Sequence, residues 1–133
     1  MGNMLGSCLG GREEENEEQT AVIVCRTSNE CESRLESSKQ SRKLMVIDFS
    51  AAWCGPCKFM EPIVDELSIR YKDVQFIKVD VDENTGFARR FGIDCMPTFV
   101  FLREGKEVDR LSGAGKVELE NKIKSNRPAS LRA

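Results

Sequence analysis

Two cysteines three positions apart, Cys54 and Cys57, follow a tryptophan in AAWCGPCKFM, residues 51–60. Such a pair can ligate a metal, staple a loop, or open and close as a dithiol. Zinc wants four ligands, commonly as two close pairs. The chain has no histidine, and Cys8, Cys25, Cys31 and Cys95 form no second pair of this spacing, so no metal site is expected. A staple across so short a loop removes little entropy from the unfolded chain. The redox reading has a positive mechanism. If a helix starts near Cys54, its sulfur sits at the N-terminus, where unpaired N–H groups and the helix dipole favour a thiolate. Cys57, one turn on, falls on the same face within bridging reach, but deeper. Pro56 occupies the first turn, where its missing N–H costs nothing, and Gly55 lets another backbone approach closely. The arrangement predicts an exposed attacking thiol and a buried resolving one.

Asp48 interrupts the apolar run LMVIDFS, residues 44–50. Unpaired burial of a carboxylate is costly, so Asp48 is either a partly solvated strand-end residue or a buried acid with a raised pKa. In the second case it could relay a proton to or from Cys57. Lys78, in a strand expected to lie alongside, is a candidate partner, or else snorkels to solvent. Met96-Pro97-Thr98 precedes another apolar run, TFVFL. A cis Met96–Pro97 bond would turn the Met96 backbone outward toward an extended substrate, although most X-Pro bonds are trans.

The elements that must position these residues alternate along the chain. Residues 20–25 read as a β-branched strand. Residues 28–43 read as a polar surface helix capped by Ser28 or Asn29, with Glu32 completing the signal. Residues 44–50 suit a central strand covered on both faces. From Cys54 a helix carries Phe59, Ile63 and Leu67 at i+4 spacing, widened by Met60 and Val64, with a kink expected at Pro62. A strand at 74–82 and a short helix at 83–92, closed by Gly92, come next. Residues 98–113 predict a hairpin turned at Glu104-Gly105. A last helix at 116–126 buries Leu119 and Ile123. This order predicts a mixed sheet with helices on both faces.

The 133 residues suffice for one domain with a sizeable core. Twenty Lys and Arg stand against 22 Asp and Glu, a net charge of −2. No basic block suggests nucleic-acid binding. Residues 1–19 read as a flexible acidic extension: glycines, then REEENEEQ. This start has neither the basic n-region nor the apolar run of a secretory signal, and no stretch approaches the ~20 apolar residues of a membrane span. A reducing cytosol is therefore expected, where a close cysteine pair points to catalysis or metal binding.

Trp53-Cys54-Gly55-Pro56-Cys57, preceded by Asp48-Phe49 and followed by Met96-Pro97-Thr98-Phe99 and Gly113-Ala114, resembles the thioredoxin family. The resemblance covers residues 20–126. The segment from Asp48 to Ala52, VDVDEN at 79–84 and the extended N-terminus make the chain most similar to the plant h-type members. The resemblance implies an α/β thioredoxin fold over 20–133, a mixed five-stranded sheet flanked by four helices. It also implies Cys54 as nucleophile, Cys57 as resolving thiol, a redox-active Cys54–Cys57 disulfide, and Asp48 as proton relay. Pro97 would be a cis-proline beside the site. Trp53, Gly55, Pro56, Met96, Pro97, Gly113 and Ala114 would dock disulfide-containing targets. The electron donor would be an NADPH-dependent thioredoxin reductase, whose flavin and nucleotide do not bind here. A glutathione-coupled route through glutaredoxin is the alternative circuit. A non-catalytic binding module with incidental cysteines is the rival reading; it leaves a buried acid without a purpose.

Cys95 should lie near the active surface, where it is either a passive thiol or an acceptor of glutathione or an intermolecular disulfide. Cys25 and Cys31 could bridge but are expected to stay reduced. NTGFARRFGIDC, at 84–95, departs from the family's usual third helix and bears on target preference. Gly2 opens an acylation-like stretch, GNMLGSCLGG, but Gly6 stands where the strict myristoylation pattern wants Ser or Thr. Either the leader is unmodified, or Gly2 carries a myristoyl chain and Cys8 supplies the second anchor that membrane attachment needs.

Overall fold

The computed structural model describes residues 19–128 and Ser130. The expected extension over 1–19, with Gly2 and Cys8, lies outside them but for Gln19. The elements run β1 (Ile23–Cys25), α1 (Ser28–Ser38), β2 (Met45–Ser50), α2 (Gly55–Arg70), β3 (Gln75–Asp80), α3 (Thr85–Arg90), β4 (Thr98–Arg103), β5 (Lys106–Ser112) and α4 (Lys116–Asn126). The strands form one sheet in the order β1-β3-β2-β4-β5. β3 runs parallel to β1 and β2, while β4 is antiparallel to β2 and β5. The expected mixed five-stranded sheet with four helices is present.

Side chains alternate across the pleat, so the sheet builds two cores. Met45, Ile47 and Phe49 of β2 face Leu35 of α1 and Phe87 of α3. Leu44 and Val46 face Met60, Val64 and Leu67 of α2 and Leu119 and Ile123 of α4. Because β2 is central and covered on both faces, its six residues are all buried. Asp48 shares the α2 side with Leu44 and Val46.

Several boundaries differ from the expected ones, each for a local reason. β1 starts at Ile23 rather than Thr20 because the preceding residues bind α2. Thr20 Oγ1 donates to Asp65 Oδ1 at 2.7 Å, and the Ala21 N–H to Ser68 Oγ at 2.9 Å. α1 is capped by Thr27, not Ser28 or Asn29. Thr27 Oγ1 accepts from the Glu30 N–H at 3.1 Å, and Glu30 Oε2 accepts from the Arg26 N–H. Two overlapping capping signals are present, and the earlier one prevails. α1 ends at Ser38, whose hydroxyl donates back to the Leu35 carbonyl at 2.6 Å; the polar residues beyond have no apolar face to hold a further turn. Thr27→Ala is expected to destabilise the protein by about 1 kcal/mol, the usual cost of a lost hydroxyl cap. Urea denaturation would register this as a lower midpoint at unchanged slope.

The azimuth of α2 also differs from the expected stripe. Met60, Val64 and Leu67 are buried, Ile63 is half-buried, and Phe59 is 61% exposed. Cys57 must face the sheet to reach Cys54, and that rotation carries Phe59 outward. The helix runs through Pro62 as one element. Glu104-Gly105 does turn the β4–β5 hairpin, with φ of 52° and 82°, the paired left-handed conformations that match the twist of a tight hairpin.

Candidate active site

Strand β2 ends at Ser50, and residues 51–54 lead into α2 at the C-terminal edge of the parallel strands. Cys54 is the N-cap residue of that helix, with extended backbone. Its sulfur accepts the Cys57 N–H at 3.2 Å, which places it on the unpaired N–H groups of the first turn. Cys54 and Cys57 are joined as a disulfide with their Cα atoms 5.3 Å apart. The helix start expected from sequence is therefore present, and it aims donors at the sulfur that would carry negative charge when the bond opens.

The contrast in exposure between the two thiols does not hold. Cys54 is 4% exposed and Cys57 8%. Both pack against Ala51, Val81 and Met96, and Cys54 Sγ lies 3.7 Å from the Met96 carbonyl oxygen. In the closed form this contact covers Cys54 as fully as the helix covers Cys57. What projects instead is Trp53, 68% exposed, whose indole Nε1 donates to Asp82 Oδ2 at 2.8 Å.

The Met96–Pro97 bond is cis. Pro97 is buried and Ala114 exposed. The Gly113 N–H donates to the Pro97 carbonyl at 2.8 Å, fastening the two distant segments together. Gly113 has φ of 102°, a conformation that favours glycine. A Cβ at Gly55 would meet open space. Among the expected docking residues, Met96 thus packs on the cysteine pair, and Pro97 beside it is tied to Gly113 from a separate segment.

Asp48 is the buried acid, not the solvated one. It is 7% exposed, and burial pushes its carboxyl up to about 7. Lys78 acts against that rise, while Glu61 and Asp65 add to it. Lys78 neither bonds Asp48 nor hangs free in solvent: its Nζ donates to Glu61 Oε2 at 3.1 Å. A cavity of about 300 Å³ lies beside the pair, lined by residues that include Cys57, Lys58, Glu61 and Lys78.

The remaining described cysteines are free thiols. Cys31 is buried at 1% exposure although its helix is polar, and Cys25 is buried beside it. Burial pushes the Cys31 thiol up to about 12 and raises that of Cys25 as well, so neither is a ready nucleophile. Cys95 is exposed, next to Met96, with its sulfur 3.7 Å from Thr98 Oγ1. Among the described residues, no group of three or more His, Cys, Asp or Glu is placed to hold a metal ion, and no helix is long and apolar enough to cross a membrane.

Reasoning from sequence missed three participants: Val81, Asp82 and Glu61. The first two fall at the end of the strand expected at 74–82, which in fact stops at Asp80, and a strand pattern does not mark which side chains return to the site. Glu61 carried a signal, an acid one turn after Cys57 on the same helix face.

A family model described as Thioredoxin matches residues 22–125. Thioredoxin H2-1 of Oryza sativa subsp. japonica is 46% identical over 112 residues, which span 84% of this chain and 81% of that protein. Thioredoxin H2 of Arabidopsis thaliana is 39% identical over 128 residues, 92% of this chain and 96% of its own length. The crystal structure of thioredoxin NaTrxh from Nicotiana alata matches with a TM-score of 0.81 at 50% identity, over 82% of this chain and 95% of that one. The likeness to plant h-type proteins thus extends through sequence, fold and the dithiol. This chain belongs to the thioredoxin family and is a protein-disulfide reductase that works by reversible exchange at Cys54 and Cys57.

Proposed function

We propose that Cys54 is the attacking thiolate, Cys57 the resolving thiol and Asp48 the proton relay. The observation that carries this assignment is the Cys57 N–H on Cys54 Sγ at the start of α2, which favours charge on Cys54 rather than on its partner. Cys54 attacks one sulfur of a target disulfide, forming a mixed disulfide and expelling the target's other thiolate. Cys57 then loses its proton to Asp48 and attacks Cys54 Sγ. The second target thiolate leaves, and the Cys54–Cys57 bond closes. Two electrons pass to the target, and two are needed to reopen the pair.

Trp53, Gly55, Pro56, Met96, Pro97, Gly113 and Ala114 form the docking surface for the target. The open space above Gly55 leaves room for the target backbone. An NADPH-dependent thioredoxin reductase supplies the electrons, and the protein works in the cytoplasm. Acylation at Gly2 and Cys8 would bring it to membranes; mass spectrometry of the protein from its own cells tests that.

Insulin reduction by the purified protein distinguishes the donors. Turnover is expected with NADPH and thioredoxin reductase. Turnover only with glutathione and glutaredoxin would overturn that donor and favour the second circuit. The exposed thiol of Cys95 beside Met96 is what favours this second reading, whereas buried Cys31 is inaccessible to glutathione.

A further inference from the structure

Asp48 has an evident counter-charge one strand away. β2 and β3 run parallel with Asp48 opposite Lys78, so both side chains rise from the same face of the sheet, under α2. Neighbouring strands lie ~4.8 Å apart, within easy reach of a lysine stem. The ammonium nevertheless goes elsewhere. Lys78 Nζ bonds Glu61 Oε2 at 3.1 Å, while Asp48 Oδ1 is buried with no hydrogen-bond partner among the described residues.

We propose that Glu61 is a positioning residue for the dithiol chemistry: it holds the Lys78 ammonium at the wall of the Cys57 cavity and withholds it from Asp48. The inference rests on reading Asp48 as the proton relay of Cys57. Glu61 stands one turn beyond Cys57, and Asp65 one turn further, so one face of α2 presents a thiol and two carboxylates to this region. From β3 comes Lys78; from β4 comes Phe99, which is uncharged. Asp65 is already engaged by the Thr20 hydroxyl. Glu61 therefore acts twice, by its own charge and by tethering a cation, Lys78, that stabilises ionised Asp48. The Glu61–Lys78 pair is itself partly solvated, with side chains 56% and 32% exposed. Exposed pairs add little to stability, so the pair can be broken without unfolding the protein.

The test follows the Asp48 carboxyl by carbon-detected NMR titration of the oxidised protein, in wild type, Glu61→Gln, Lys78→Met and the double variant. Glu61→Gln is expected to lower the Asp48 midpoint by about 1 pH unit, the low end of what an opposite charge at close range does to a carboxyl. Lys78→Met is expected to raise it. In the Lys78→Met background, Glu61→Gln should have a much smaller effect. An unchanged midpoint in Glu61→Gln, or an equal drop with Lys78 absent, would overturn the proposal. The pH profile of insulin reduction should move with the titration at unchanged thermal stability; a fixed profile beside a shifted titration would equally overturn it. If wild-type protein reduces no insulin, the assigned roles of Cys54, Cys57 and Asp48 fail, while the titration still reads whether Glu61 controls Asp48.

Discussion

Serine in place of Cys57 is expected to leave the protein covalently attached to its targets. The first half of the exchange survives this change. Cys54 keeps the Cys57-position N–H at 3.2 Å, because that donor is backbone, and the helix start that favours its thiolate is untouched. The second half is lost, since a serine hydroxyl does not displace sulfur at neutral pH. Insulin reduction should fall to background, a loss of at least about a thousandfold, as expected when one member of a unit that acts together is removed. A non-reducing gel should show the adduct, and dithiothreitol should release it. Cys54→Ser should lose activity equally but form no adduct. If Cys57→Ser binds its partners non-covalently and as well as wild type does, the pair is incidental and the binding-module reading returns. If the adduct forms through Cys57 in Cys54→Ser instead, the two roles are reversed.

A second large effect concerns stability, and its sign follows from linkage. Asp48 has a carboxyl near 3.8 in the unfolded chain and about 7 when folded, chiefly through burial. Below both values it is protonated in each state and contributes nothing to pH dependence. Between them the folded protein holds the extra proton, so stability falls as pH rises, and it levels off above the folded value. The difference corresponds to roughly 4 kcal/mol at 1.36 kcal/mol per pH unit. Asp48→Asn removes the titration. Its stability relative to wild type is therefore expected to rise by roughly 4 kcal/mol from pH 4 to pH 8, whatever constant offset the buried amide adds. Other carboxyls act in the opposite sense. Asp109, held low by Lys122 and Asn126 despite desolvation, and Glu120, held low by the Tyr71 hydroxyl, add stability above their unfolded pKa and lose it as pH falls. They are common to both proteins and cancel in the comparison. Urea unfolding of the oxidised proteins at several pH values reads the difference directly, and a difference that stays flat with pH would show that Asp48 ionises normally. With Asp48 as the proposed proton acceptor of Cys57, the same variant should slow release of the mixed disulfide near neutral pH.

What the sequence by itself determined here is what short-range rules govern. Cys54 at the start of α2 follows from Gly55-Pro56 and the end of an apolar strand, and α4 begins and ends where its Leu119–Ile123 spacing says. The Glu104-Gly105 turn follows from backbone preference. Each depends on residues within a turn or two of one another. The apolar run around Asp48, by contrast, left its burial open until the fold covered it. The tertiary structure alone decided which way each element faces and whom its charged ends meet. Phe59 is exposed because the contact of Cys57 with Cys54 sets the azimuth of α2; the apolar periodicity of that helix allows either rotation. Cys31 is buried because the sheet and α3 close over one side of α1, a side its polar composition does not mark. β1 is shortened by bonds from Thr20 and Ala21 to α2, made across more than 40 residues of chain. Lys78 meets Glu61 rather than Asp48 through an ion pair spanning 17 residues. The choice between two acids within its reach depends on which one the fold leaves in water, and ionised Asp48 is disfavoured by the same burial that makes it useful.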